Sequence, residues 1–159
     1  MTSRSVLWAC FLRGRIDKLG PILFQLPPRW RCNFDRLNSF LDALPQGYLF
    51  AFEFRDARWF DSRVNDALTR RGVSFCICDF DQRLSPKHVT ADFVYVRLHG
   101  PGPCYQGQYV TEALAGWAQE FSRWSGAGMD VYCYFDNDQN GYAAQDALRL
   151  QEIVSRKCP

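Results

Sequence analysis

Histidine is scarce in this chain of 159 residues, and any imidazole chemistry falls to His88 or His99. Charge of one sign is also missing. The 19 basic and 17 acidic residues leave a net charge of +2 and are dispersed along the chain, so no electrostatic footprint of nucleic-acid binding is present. No apolar stretch approaches the roughly 20 residues needed to cross a bilayer, and no membrane partner is expected. The seven cysteines are odd in number and include neither a C-x-x-C pair nor a zinc-like spacing, which fits reduced thiols in a cytoplasmic protein. Leu7-Trp8-Ala9-Cys10 resembles a lipoprotein cleavage box, but too little apolar sequence precedes Cys10, and Phe11-Leu12 runs on into a helical pattern. No serine or cysteine lies in a nucleophile-elbow context. Repeats, linkers and low-complexity tracts are absent, so residues 1–159 read as one domain.

What is present is an apolar, aromatic chain, 47% hydrophobic and 16% aromatic, in which two periodicities alternate. Strand-like runs are Ile22–Leu26, Leu49–Arg55, Ser74–Asp79, Phe93–His99 and Val131–Asp136. Helical segments lie between most of them. Asn33 caps one with apolar positions Phe34, Leu37, Phe40, Leu41 and Leu44, and Ser62 and Gly72 bracket the next. Thr111 opens a longer helix carrying Leu114, Trp117, Ala118, Phe121 and Trp124. The last runs from about Ala143 towards Arg156, with Ala144, Ala147, Leu148 and Val154 as its inner face, and an N-terminal helical pattern passes through Val6, Cys10, Phe11 and Ile16.

Such alternation implies an α/β fold with a mainly parallel sheet, which presents ligands to the carboxyl ends of its strands. The strands here end in polar residues. FVYVRLHG, Phe93 to Gly100, is apolar until Arg97 and His99, and VYCYFDND, Val131 to Asp138, runs into Asp136, Asn137 and Asp138. Period two separates Phe50, Phe52 and Phe54 from Ala51, Glu53 and Arg55. It likewise puts Tyr95, Arg97 and His99 opposite Val94, Val96 and Leu98, and sets Tyr132, Tyr134 and Asp136 on one face.

Four segments carry a family resemblance: GPILFQLPP at 20–28, FEFRDARWF at 52–60, TADFVYVRLHGPG at 90–102 and DVYCYFDNDQNGYAAQDALRL at 130–150. They closely resemble the YecE-like proteins, domain of unknown function 72, in order over about residues 11–155. That resemblance implies a TIM-like (β/α) barrel and transfers no established activity or cofactor. The family's opening Gly-Thr-Ser-Gly-Trp and Glu-Ile-Asn-Ser-Thr-Phe-Tyr types of motif do not occur here. Eight strands with their helices need upwards of about 200 residues, so about five strands would form an incomplete barrel, as in an N-terminally truncated member. The architectural alternative is an open doubly wound sheet. An open edge would favour self-association.

Glu53, Asp79, His99, Asp136 and Asp138 stand at or beyond strand ends and could converge on one mouth. Glu53, His99 and Asp136 are the candidate catalytic residues for acid–base work, and Asp79 and Asp138 are candidate metal ligands, although no local spacing supports a metal site. Alternatively Glu53 pairs with Arg55 or Arg97, and Asp136 or Asp138 caps the turn before the last helix. Arg55 and Arg97 are suited to capturing a phosphate or carboxylate. Gln25, Tyr105, Tyr109 and Asn137 complete the candidate ligand contacts, with both tyrosines in the Gly100–Val110 loop, which could be a lid or merely a rigid cover. Cys76, Cys78, Trp59 and Trp117 read as packing residues, and His88 as solvent-exposed. The expected function is binding of a small anionic ligand; acid–base or divalent-metal-assisted chemistry on a phosphorylated or sugar-like substrate is the alternative, and an inactive fragment the third outcome.

Overall fold

In the computed structural model, which describes residues 19–157, the period-two segments form strands and the 3.6-period segments form helices. The strands are β1 (Ile22–Leu26), β2 (Phe50–Phe54), β3 (Ser74–Phe80), β4 (Arg83–Leu84), β5 (Phe93–Leu98) and β6 (Asp130–Phe135). Five of them pair in the order β1-β2-β3-β5-β6, each parallel to its neighbour, while β4 folds back antiparallel on β3. The β3–β4 turn places Asp81 and Gln82 at φ 51° and 60°, the left-handed pair that a two-residue hairpin requires. A two-residue, exposed strand carries no readable period, and β4 is absent from the sequence expectations.

The helices are α1 (Phe34–Asp42), α2 (Ser62–Arg70), α3 (Thr111–Gly126) and α4 (Tyr142–Lys157). Asn33 caps α1 by accepting from the Arg36 amide at 2.9 Å. Asp61, one residue before the expected Ser62, caps α2 by accepting from the Arg63 amide at 2.9 Å. After α3 the chain reverses at Gly128, φ 83°, where the Met129 amide returns to the Trp124 carbonyl and the Gly128 amide to the Ser125 carbonyl. That crossed pair of bonds is the Schellman arrangement, and the positive φ explains a glycine there.

Because the strand order follows the chain order without reversal, every helical connection returns on the same side of the sheet. The helix side is one continuous core: Phe50, Phe52, Phe54, Phe75, Ile77, Val94, Val96 and Leu98 meet Leu37, Leu41, Val64, Leu68, Leu114, Trp117, Phe121, Trp124 and Leu150. A smaller cluster, Ala51, Cys76, Cys78, Phe93 and Tyr95, occupies the opposite face. A doubly wound sheet divides its helices between two faces about a reversal in strand order, so that alternative is set aside. The sheet is open, wound in a single direction as in a barrel wall.

The inner face of α4 corrects one expectation. Ala144, Ala147 and Leu148 face solvent, and Asp146, Leu150, Ile153 and Val154 turn inward. An aspartate occupies a position that an apolar pattern assigns elsewhere, which rotates the apparent stripe. His88 is half-buried, with its ring edge-on to Phe75 at 5.4 Å, rather than solvated. The helical pattern through Val6 to Ile16 and the Leu7–Cys10 box lie outside the described residues, and among those described no helix is long and apolar enough to cross a membrane.

Candidate functional site

Register sets the site. Gln25 on β1 pairs with Glu53 on β2, and Arg97 on β5 sits between Cys78 on β3 and Tyr134 on β6. These residues point to the face away from the helices, where Glu53 is fully buried. The Glu53 carboxylate holds two guanidinium groups: Arg55 Nε donates to Oε1 at 2.6 Å and Arg97 Nη1 donates to Oε2 at 2.7 Å. Gln25 Oε1 accepts from both arginines, at 2.8 Å from Arg97 and 3.2 Å from Arg55. Arg97 Nη2 also pairs with Asp136 Oδ2. Burial works against the charge on each arginine. For Arg55 the Tyr105 and Glu53 hydrogen bonds outweigh it, and for Arg97 the Glu53 charge does, so both guanidiniums are held above their ordinary value.

Seven bonds therefore hold two forks of five N–H groups each, and three N–H groups stay unpartnered among the described residues: one on Arg55 Nη1, one on Arg97 Nη2 and Arg97 Nε. Exposure shows which groups a ligand can reach. Side-chain exposure is 4% for Arg55, 17% for Arg97 and 27% for Asp136, against none for Glu53 and His99.

Hydrogen bonding assigns the His99 tautomer. Its Nδ1 lies 3.0 Å from the Asp79 carbonyl oxygen, which can only accept, so the ring proton sits on Nδ1. Nε2 is then the acceptor for Arg55 Nη2 at 3.0 Å. Asp136 Oδ2 stands 3.3 Å from the same Nε2 and Glu53 Oε1 3.7 Å. Burial pushes the imidazole below its ordinary value, with Glu53 opposing and the two arginines reinforcing the shift. The three candidate acid–base residues are thus brought together around one nitrogen.

The loop after β5 closes over these groups. Gly100 has φ 106°, and a Cβ there would meet the Gln106 carbonyl oxygen at 2.2 Å, so the loop folds back tightly at this point. Tyr105 takes a left-handed backbone, φ 64°, a costly conformation for a tyrosine. Its hydroxyl accepts from Arg55 Nη1 at 3.0 Å and its ring stands edge-on to His99 at 5.6 Å. Tyr109, expected as a ligand contact, is instead buried: its hydroxyl accepts from the Gly100 amide and donates to Asp79 Oδ2, both at 2.9 Å. Asn137 is also buried, donating through Nδ2 to the Gly107 carbonyl and to Asp146 Oδ2 at 2.8 Å each. These two fasten the loop.

Asp79 is half-buried and its carboxyl is pushed up by burial, with Tyr109 opposing. Asp138 is exposed and leads into the turn before α4 without capping it through its side chain. Asp79 is thus tied to Tyr109, while Asp138 stands at the surface. Among the described residues no three His, Cys, Asp or Glu side chains gather as a metal-holding group. Cys76 and Cys78 line the sheet face, and burial pushes the Cys78 thiol up to about 12, which leaves it a small apolar wall residue. Two contributors went unnoticed in the sequence. Phe80, whose ring lies 3.8 Å under the Arg55 guanidinium, falls one residue past the expected end of the third strand. Asp146 accepts from the Tyr109 amide, Asn137 Nδ2 and Arg149 Nη1, and reads as one more helical carboxylate.

The family model described as protein of unknown function DUF72 matches residues 8–158. A DUF72 family protein of Enterococcus faecalis v583 superposes with a TM-score of 0.83 at 19% identity, over 97% of this chain and 67% of that one. Another, from Thermotoga maritima MSB8, gives 0.82 at 23% identity, over 95% of this chain and 64% of that one. The chain spans about two thirds of the length of these solved structures, and the likeness is to their TIM-like α/β fold. No curated protein matches the chain.

Proposed function

The chain belongs to the family of proteins of unknown function DUF72, and from that premise we propose that its strand ends form a receptor for a small molecule bearing an oxyanion, a phosphate or carboxylate. The observation that carries this reading is the shared anchoring of Arg55 and Arg97 on buried Glu53, with N–H groups left over on both forks. Anchored guanidiniums lose little freedom when a ligand arrives, and charge-assisted bonds of this kind contribute about 1.5–3 kcal/mol each. Tyr105 accepts from Arg55 and so keeps its own proton to donate. Asp136 would be the group displaced, because of the two carboxylates on Arg97 it is the exposed one, 27% against none for Glu53.

A thermal-shift titration with methyl phosphate and acetate tests the reading. Stabilisation of the native chain that Arg97→Ala abolishes, and that Arg97→Lys restores only in part, is the expected result. Neither anion shifting the melting temperature, or a shift that survives Arg97→Ala, would overturn it. A second reading, acid–base chemistry on the bound molecule, is favoured by one specific observation: the fixed tautomer leaves Nε2 of His99 facing Asp136 at 3.3 Å. Under that reading His99→Gln abolishes turnover while anion binding persists. Equal turnover in the variant would remove it.

A further inference from the structure

Beside the anion site lies a cavity of about 170 Å³ with Pro28, Phe54, Phe60, Phe80 and Leu84 as apolar walls and Asp81 and Arg83 on its charged side. The β3–β4 hairpin builds its far side: Ser85 Oγ accepts from the Cys78 amide at 2.9 Å, and the Ser85 amide donates to the Cys78 carbonyl at 2.8 Å, so the returning strand is fixed against β3. Neither the exposed β4 strand nor the left-handed Asp81-Gln82 turn has a part in the anion site described above. A hairpin folded back to wall a cavity gives both a purpose.

One residue joins the two spaces. Arg55 lines the cavity, its guanidinium rests on the Phe80 ring at 3.8 Å, and its other edges bond Glu53, Gln25 and His99. We propose that the ligand is an oxyanion attached directly to a ring-sized apolar group, an aryl phosphate or arenecarboxylate in chemical class, with the ring in this cavity and the anion on Arg55 and Arg97. The inference deepens the proposed function and rests on it. Volume is adequate, since a cavity of about 150 Å³ accommodates a benzene ring. Three phenylalanine walls and a flat guanidinium suit an aromatic occupant better than a branched aliphatic one. The shared arginine also limits the linkage to a bond or two, because a long spacer would carry the anion past both forks.

Calorimetric titration of the native chain with methyl phosphate and phenyl phosphate separates the two proposals, because the two monoesters carry the same anion. Phenyl phosphate binding at least tenfold tighter is expected, with the ratio falling to within about twofold in Ala57→Phe, which fills the cavity from its exposed rim, and in Leu84→Lys. Methyl phosphate binding as tightly as phenyl phosphate would remove the ring subsite and leave the anion site standing. An advantage for the aryl ester that survives both substitutions would place the ring elsewhere and equally overturn the inference. Binding of neither ester would overturn the anion site and this inference together.

Discussion

At the scale of single residues the decisive group is Glu53, a fully buried carboxylate between two arginines. Removing one partner of a buried ion pair typically costs about 3–5 kcal/mol, since the other charge stays behind without compensation. Glu53→Gln, which keeps the volume and removes the charge, is expected to lower stability by about 3 kcal/mol in urea denaturation; a loss below about 1 kcal/mol would show the arginines hydrated instead. His99 sets a pH dependence. Burial lowers its folded value below the ordinary 6.5, so the unfolded imidazole takes up a proton first as pH falls. The stability associated with His99 is therefore complete above about pH 6.5 and is lost as pH falls through the folded value. Imidazole titration by NMR should give a value below that of a free histidine, and methyl phosphate should raise it. Alternation along the strands made the shared face of Glu53, Arg55, Arg97, His99 and Asp136 legible, because in a strand the side of a residue follows from counting. The roles of Tyr109 and Asn137 were not legible: a phenol or amide that clasps a loop has the same sequence signature as one that touches a ligand.

Elements show where periodic patterns carry information and where they do not. Strand positions and the face of α3 follow their apolar spacing, with Leu114, Trp117, Ala118, Phe121 and Trp124 buried as expected, whereas on α1 Leu37 and Leu41 are buried but Phe40 is 42% exposed. In α4 the pattern misleads, because inward Asp146 answers donors on the Gly100–Val110 loop and on Asn137 that are far away in sequence. Long-range hydrogen bonding leaves no period to read. Asp146→Ala would strand the Tyr109 amide, Asn137 Nδ2 and one Arg149 donor, and is expected to cost about 2–4 kcal/mol while raising amide exchange across residues 100–110. Unchanged exchange there would mean that the loop is held by other contacts. At the start of α1, Asn33→Ala should cost only about 1 kcal/mol, the worth of one helix cap. A thermal melt distinguishes the two variants.

For the molecule as a whole, the order β1-β2-β3-β5-β6 leaves β1 and β6 with one sheet neighbour each among the described residues. The face carrying the arginines also holds Tyr134, 43% exposed and stacked on Tyr95 at 5.1 Å. Unpaired strand edges beside exposed aromatic surface favour association. Sedimentation velocity should show species heavier than the 18.4 kDa chain as concentration rises, and Tyr134→Lys should shift the distribution towards monomer. A single species of 18.4 kDa at every concentration would end this expectation. Strand–helix alternation made the fold class legible, and the winding direction became visible only with the pairings.

The clasp at Asp146 also has a temporal side. A ribosome delivers Glu53, Arg55, Arg97 and His99 first, then Asp136, and Asp146 only afterwards. While the chain is still being made, the two arginines can already find Glu53, but the segment bearing Tyr105 has no anchor from α4. The cover over the site is thus fastened only after the groups beneath it have been made, and a growing chain holds the basic pair on Glu53 without that cover until α4 emerges.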